Sequence, residues 1–580
     1  MQALIKANAI LSNIQSPKDI RDFDSVQLQQ LCREIRARII AVTSKNPGHL
    51  GASLGAIELA VGIHKVFNTP LDSLVWDVGH QSYAHKILTG RNNDFDQIRQ
   101  INGIAGFPKM NESKYDSFGT GHSSTSISAA LGMAIADSNN RTHIAVIGDG
   151  SLTGGMAFEA LNHLATTEAN VLVIINDNDM SIDDSVGGLQ QHLNNIDMDQ
   201  NIFTNLGLPY HGPFEGNEIK SVTEQLELQK DISGPRVIHF RTQKGFGYDH
   251  SEKGNATHWH APGKFAIETG QGLEGESEFP KTYQHIVGET LCKLAENNED
   301  IYVITPAMAS GSKLKEFEAK FPNRFFDVGI AEQHAVTFSA GIAAQGKSPI
   351  CVIYSTFLQR GYDQLIHDVA LQDLSVIFLI DRAGLVGHDG STHHGAFDLA
   401  FLNCIPNMSI YAPCNEEELA KIIEQSVQLK NGPIAIRYPR GKGSKKETVS
   451  IQNQFLSVKQ LASGEKKAVI SIGGICDNVA QAISKTEDFS HFALQVVKPL
   501  PLEELKSIFS EYKEIFIVED GVKNGGIGMN IMSWANDNSL NNKLNILAFP
   551  DQFIEHGSPE ELYYSIGMSP DKIKSWLDAK

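Results

Sequence analysis

The chain has 580 residues, 41% of them hydrophobic, and a net charge of −19. That is material for three to four domains with ample cores, and the acidity excludes a general nucleic-acid or anionic-membrane binder while leaving room for local basic pockets. The six cysteines (Cys32, Cys292, Cys351, Cys404, Cys414 and Cys476) show no CxxC and no metal-ligand spacing, as befits a reducing compartment; with no signal-like start and no apolar stretch of membrane-spanning length, the expected location is the cytoplasm.

Strand-like and helical segments alternate in three blocks. In the first, residues 1 to about 275, three turns join glycine to histidine. His49 lies in Pro47-Gly48-His49-Leu50-Gly51, before a helix expected to start near Leu54, and His80 closes a strand-like run at Trp76-Asp77-Val78-Gly79-His80-Gln81. His122 follows Gly121 and precedes Ser123 and the small-residue helix expected over 127–136, where free N–H groups and hydroxyls can receive phosphate oxygens. Each histidine alone has an ordinary surface or capping reading; three such turns in one block make coincidence a poorer account.

The apolar residues 144–147 form a short strand that stops at Gly148-Asp149-Gly150. A helix is expected from Gly155 to about Ala165, and residues 171–175 form a second strand that runs into Asn178-Asp179-Met180. A right-handed βαβ crossover returns the second strand parallel to the first, so Asp149 and Asn178 converge above neighbouring strand ends. A carboxylate, an amide oxygen and a main-chain carbonyl suit a Mg2+ ion that must keep room for phosphate oxygens. The rival reading, a plain Gly-Asp-Gly turn, loses ground to the spaced asparagine. The first block closes with a strand over 237–240, the Gly-rich Lys244-Gly245-Phe246-Gly247-Tyr248, the cluster His258-Trp259-His260 and a linker-like stretch over 268–278.

The second block offers strands over 301–304, 325–328, 349–354 and 376–380. Glu332 stands where a strand gives way to a helix, a position the helix dipole favours for any glutamate. Arg360, Arg382, Arg437 and Arg440 have ordinary salt-bridge readings, but guanidinium forks at strand-end loops also suit phosphate capture. Thr392-His393-His394-Gly395 forms another histidine cluster whose role spacing alone leaves open. Beyond the basic stretch 440–446, the third block offers strands over 468–472, 492–497, 514–518 and 545–548.

These residues together resemble the 1-deoxy-D-xylulose-5-phosphate synthases, thiamine diphosphate enzymes of the transketolase superfamily, over nearly the whole chain. The resemblance is carried by residues 76–81, 121–130, 176–182, 330–336, 354–360, 381–384, 437–441 and the ending 549–557. It implies an α/β fold of three doubly wound transketolase-type domains: 1–275 on the diphosphate and Mg2+ side, 280–445 on the pyrimidine side, and 455–580 at the C-terminus. It also implies condensation of pyruvate with D-glyceraldehyde 3-phosphate, with release of CO2, to feed isoprenoid, thiamine and pyridoxal synthesis. By the family's pattern, Asp149, Asn178 and the Met180 carbonyl hold Mg2+, while His80, Gly121, His122, Ser123, Gly150, Ser151, Asn178 and Tyr248 line thiamine diphosphate. Glu332 hydrogen-bonds the aminopyrimidine ring, with a pKa raised by its apolar slot, and Phe357 packs over the cofactor. His49 and His260 handle protons near the pyruvate-derived carbons. Tyr354, Arg360, Asp389 and His393 line the acceptor side, Arg360 and His393 counting among the catalytic set, and Arg382 and Arg440 take the acceptor phosphate. The site would be completed by two α/β units, and a homodimer is implied, with no nucleic-acid or membrane partner.

Two departures stand out. Only residues 181–211 separate the metal loop from Gly212-Pro213-Phe214-Glu215-Gly216-Asn217, where the family usually has a long mobile segment before Gly-Pro-x-Asp-Gly-His. His388 stands where the family commonly has a small or acidic residue. Transketolase, which cleaves a ketose, and a pyruvate dehydrogenase component remain alternatives, disfavoured by the 354–360 and 381–390 runs and by both cofactor halves lying in one chain. A catalytically silent scaffold is disfavoured by the joint retention of Asp149, Asn178, Glu332 and His49.

Overall fold

The computed structural model describes residues 10–180, 186–273, 280–443 and 456–580. They form two compact units, one of residues 1–276 with 329–331, the other of 277–328 with 332–580. No helix among the described residues is long and apolar enough to cross a membrane.

The first unit is built on a parallel five-stranded sheet in the order β1-β2-β3-β5-β4: Ser73–Trp76, His143–Gly148, Val171–Asp177, Arg236–Arg241 and, at the edge, Tyr210–Glu215. A parallel sheet is covered on both faces, so its strands read as nearly continuous apolar runs. In β3, Leu172 and Ile174 enter one core with Trp76, Ile144 and Phe240; Val171, Val173 and Ile175 enter the opposite core with Leu161 and Leu164 of the helix Gly155–Leu164. β4 escapes the sequence reading because Gly212 and Pro213 interrupt it and it lies at an edge, where proline is tolerated. The helix expected near Leu54 begins at Leu50, directly after His49. In the linker-like stretch, Ala266 N–H donates to the Gln271 carbonyl at 2.8 Å, a tight reversal, while 274–278 lie outside the described residues.

The second unit contains two sheets. One has seven strands, β15-β10-β11-β9-β8-β6-β7, parallel except for β15: β6 Ile301–Thr305, β7 Phe325–Asp327, β8 Ser348–Tyr354, β9 Ile377–Ala383, β10 Ser409–Tyr411, β11 Ile434–Pro439 and β15 Val496–Lys498. The other runs β12-β14-β13-β16-β17, with β12 antiparallel: β12 Val458–Ala462, β13 Lys467–Ile472, β14 Phe489–Leu494, β16 Glu514–Val522 and β17 Lys543–Phe549. One core is common to both, joining Ile353, Phe378 and Ile380 to Ile470, Ile515 and Ile517. The single strand expected over 492–497 is therefore two strands in two sheets. Buried Gln495 makes the switch, its carbonyl accepting from Ala412 N–H at 2.8 Å and its N–H donating to Ser457 at 2.9 Å.

Candidate active site

In the first unit Gly148 is in register with Asn176, so Asp149 and Asn178 leave adjacent strands at the same, carboxyl-terminal edge, where ligands bind in open α/β sheets. Asp149 is buried and starts the short helix Asp149–Leu152, and the Asn178 amide oxygen is buried with no hydrogen-bond partner. A buried acceptor without a protein partner at a strand end fits a cation ligand. No group of three His, Cys, Asp or Glu forms a metal cluster among the described residues, so a cation at this edge would draw on one carboxylate and neutral oxygens. The loop is braced from below. Asp177 accepts from His239 Nε2 at 3.0 Å, and His239 Nδ1 meets the Tyr210 hydroxyl at 2.7 Å. Burial raises the Asp177 carboxyl, but the bond and charge of His239, the Asp179 N–H and the Arg241 charge together outweigh it and hold the group below its ordinary value. The shortened segment beyond 185 folds back on this loop: Gln190 Nε2 donates to Asp179 Oδ1 at 2.7 Å, while residues 181–185 lie outside the described set.

The glycine–histidine turns meet at this same edge. Asp77, directly after β1, accepts from the N–H groups of Ser124 (2.7 Å) and Ser126 (3.0 Å), pinning the Gly121-His122-Ser123 loop. The Ser124 hydroxyl donates to the Ser151 carbonyl at 2.7 Å, and a Cβ on Gly154 would lie 2.2 Å from that hydroxyl oxygen. Gly121, Ser123, Gly150 and Ser151 are thus packed into one cradle of main-chain N–H and hydroxyl groups, a fit for diphosphate oxygens. Val78, with φ of 58°, centres a three-residue turn closed by Gly79 N–H on the Asp77 carbonyl, a strained conformation for a β-branched residue.

Beside the cradle, His49, His80 and His260 form a triangle with ring centroids 6.0, 5.8 and 5.5 Å apart, and Phe107 packs on His49 at 5.1 Å. Burial, with the Lys244 charge adding, holds the His80 imidazole down at about 3, so His80 is neutral at physiological pH. Asn217, one of the departures, ties this region together: its amide donates to the Gly55 carbonyl at the end of the His49 helix and accepts from Gln243 N–H beside Lys244. Glu215 accepts from Asn217 N–H at 3.1 Å and caps the turn. Tyr248 packs against Trp259, the residue before His260 in the chain. Its ring packs with Trp259 and Phe265 in the core, and its hydroxyl donates to the Ile267 carbonyl.

In the second unit Glu332 opens the helix Glu332–Ala344 and is buried. Desolvation raises its pKa against the attraction of Arg360 on the neighbouring turn Gln359–Gly361. Phe357 stacks on Tyr354 (5.3 Å, 13°) and meets His393 edge-on at 5.7 Å. The Arg382 guanidinium lies 4.0 Å over the Tyr354 ring, its Nε buried and unpartnered; its backbone holds φ of 62° at the end of β9. Arg440 lies 3.7 Å from Asp389 and donates to the Val386 carbonyl at 3.2 Å. Tyr354, Phe357, Arg382, Asp389, His393 and Arg440 therefore form one connected wall with an unsatisfied guanidinium nitrogen, a fit for a small phosphorylated ligand. Arg437 does not join it. It lies on β11, buried, paired with Asp398 at 3.0 Å and donating to the Asp520 carbonyl, so the salt-bridge reading holds for this arginine.

Asp77 escapes the sequence reading as a functional residue; the signal is an aspartate placed directly after an apolar strand, ahead of a serine-rich loop. Its replacement by alanine leaves two buried N–H groups unpaired, at about 1–3 kcal/mol each. Urea denaturation is expected to show Asp77→Ala destabilised by about 2–4 kcal/mol, with Asp77→Asn, which keeps one acceptor, losing less.

Comparison with known proteins places the chain. Residues 11–202 and 194–242 match the family described as 1-deoxy-D-xylulose-5-phosphate synthase, residues 280–445 the transketolase pyrimidine binding domain, and residues 457–573 the transketolase C-terminal domain. The 1-deoxy-D-xylulose-5-phosphate synthase of Cytophaga hutchinsonii is 45% identical over 98% of either chain, and that of Porphyromonas gingivalis 43% identical over 98% of either. A solved transketolase from Campylobacter jejuni is similar over 95% of this chain and 99% of its own, at 18% identity and a TM-score of 0.43. The cradle, the buried glutamate and the guanidinium wall thus sit in a sequence related end to end to one set of enzymes, and the chain belongs to the 1-deoxy-D-xylulose-5-phosphate synthase family.

Proposed function

We propose that the chain condenses pyruvate with D-glyceraldehyde 3-phosphate to give 1-deoxy-D-xylulose 5-phosphate and CO2. The observation that carries this reading is the relationship to enzymes of that name over the whole chain. Thiamine diphosphate, when bound, supplies the carbon nucleophile and the electron sink that pyruvate decarboxylation needs. Asp149, Asn178 and the Met180 carbonyl would hold Mg2+, and Gly121, His122, Ser123, Gly150 and Ser151 would receive the diphosphate. His80 would meet the cofactor as a neutral imidazole, donating or accepting a hydrogen bond without storing a proton. The Glu332 carboxyl, kept protonatable by burial, would exchange its proton with the aminopyrimidine ring beside Phe357.

His49 and His260, five to six ångströms from one another and from His80, would move protons at the keto oxygen of the pyruvate-derived fragment. Arg382 and Arg440 would take the aldehyde's phosphate, with Tyr354 as the platform under Arg382, while Arg360, Asp389 and His393 would orient the reacting aldehyde. Burial pushes the Tyr354 phenol up to about 12 against the opposing Arg382 charge, so Tyr354 serves as a neutral donor. A homodimer working in the cytoplasm, with domains over 1–275, 280–445 and 455–580, completes the proposal. The test is release of labelled CO2 from carboxyl-labelled pyruvate. Release that depends on the aldehyde is expected; its absence with cofactor and Mg2+ present would remove the proposal.

A further inference from the structure

The loop 384–395 carries His388, Asp389 and His393 and is closed at its base by Gly384 and Gly395, whose N–H and carbonyl groups pair reciprocally at 2.8 Å. Its far side rests on the C-terminal segment 555–559. A Cβ on Gly390 would lie 3.0 Å from the Cβ of His556, and one on Gly387 3.3 Å from the Gly557 carbonyl. Between loop and segment stands His394, 4% exposed, with both ring nitrogens engaged. Nδ1 faces Val386 N–H at 3.1 Å and Nε2 faces the Glu555 carbonyl at 3.1 Å. An amide N–H only donates and a carbonyl only accepts, so these partners fix the neutral tautomer with its proton on Nε2.

We propose that His394 is a positioning residue that pins the acceptor-side loop to the C-terminal segment, making that last sheet's region a determinant of affinity for the phosphorylated aldehyde. The inference rests on the acceptor-side reading of Asp389, His393 and Arg440 given above. The Val386 carbonyl also accepts from Arg440, so the pin at Val386 N–H fixes the same peptide region that orients this guanidinium.

The pin carries a sign. Protonation of His394 would place an N–H on Nδ1 against the Val386 N–H, two donors face to face, and would break the contact. Burial lowers the pKa of His394, against the opposing influence of the Glu555 carbonyl and the charges of Asp389 and Glu555, with His556 adding to the lowering; Arg440 is the remaining cation beside Val386. The folded value lies below the ordinary histidine value of about 6.5, so docking is fully present above that value and weakens as pH falls through it.

Two variants of the holoenzyme test this. His394→Leu removes both bonds. It is expected to raise KM for D-glyceraldehyde 3-phosphate about tenfold, leave KM for pyruvate unchanged, and speed amide hydrogen exchange across 384–395. His394→Gln supplies an acceptor oxygen and a donor nitrogen that do not titrate. It is expected to restore slow exchange and a low KM, and to abolish the loss of protection, measured against intrinsic amide exchange rates, that is expected of the wild-type loop as pH falls through the ordinary histidine value of about 6.5. Exchange over 384–395 equal in His394→Leu and wild type would overturn the pin. Faster exchange with an unchanged KM for the aldehyde would keep the pin and remove the acceptor-side reading of the loop.

Discussion

Glu332→Gln is expected to lower turnover by about a thousandfold or more, the scale of losing a positioned proton-transfer group, while the protein stays folded. The side chain is buried at the first turn of its helix, so glutamine keeps the volume and an acceptor oxygen but cannot exchange a proton. The stability consequence runs opposite to the catalytic one. Burial raises the folded-state pKa of Glu332, so the folded protein holds a proton that the unfolded chain has released once pH exceeds the ordinary carboxyl range. The associated stability is fully present below that range and is lost as pH rises through the raised value. Thermal denaturation is therefore expected to show Glu332→Gln less sensitive than wild type to a rise in pH from 4.5 upward. Full turnover in Glu332→Gln would remove the assigned role.

Asn178→Ala is expected to act only on the loaded protein. The amide oxygen has no protein partner, so its loss takes no hydrogen bond from the cofactor-free chain, and denaturation of that form should shift by less than about 0.5 kcal/mol. Wild type with Mg2+ and thiamine diphosphate at a hundred times their dissociation constant should gain about 2.7 kcal/mol. That gain should vanish in Asn178→Ala, and chelation of Mg2+ should erase it in wild type. A variant stabilised by the ligands as strongly as wild type would show that the orphan oxygen is not a metal ligand.

What the sequence made legible follows the range of the physics involved. Asp149 and Asn178 could be placed because strand, crossover and strand are local, and a parallel βαβ unit brings consecutive strand ends to one edge. Glu332 could be placed at a strand-to-helix junction for the same reason. Arg437 could not be sorted between its salt-bridge and phosphate-capture readings, because its apolar flanks form β11 and its partners Asp398 and Asp520 come from far along the chain. The run 492–497 reads as one strand because a change of sheet at Gln495 depends on Ser457 and Ala412, which no local pattern reveals. Asn217 looked like a loss relative to the family's histidine, yet its amide supplies both a donor for Gly55 and an acceptor for Gln243.

The bond that the proposed reaction makes, between the keto carbon of pyruvate and the aldehyde carbon of D-glyceraldehyde 3-phosphate, can be seen directly. Pyruvate labelled with carbon-13 at its keto and methyl carbons, given to the holoenzyme with unlabelled aldehyde and followed by carbon NMR, should yield a phosphorylated product. Its methyl and keto carbons are both labelled and mutually coupled, and the next carbon, from the aldehyde, is unlabelled. A product formed only when a ketose phosphate replaces pyruvate, carrying no label, would contradict the account.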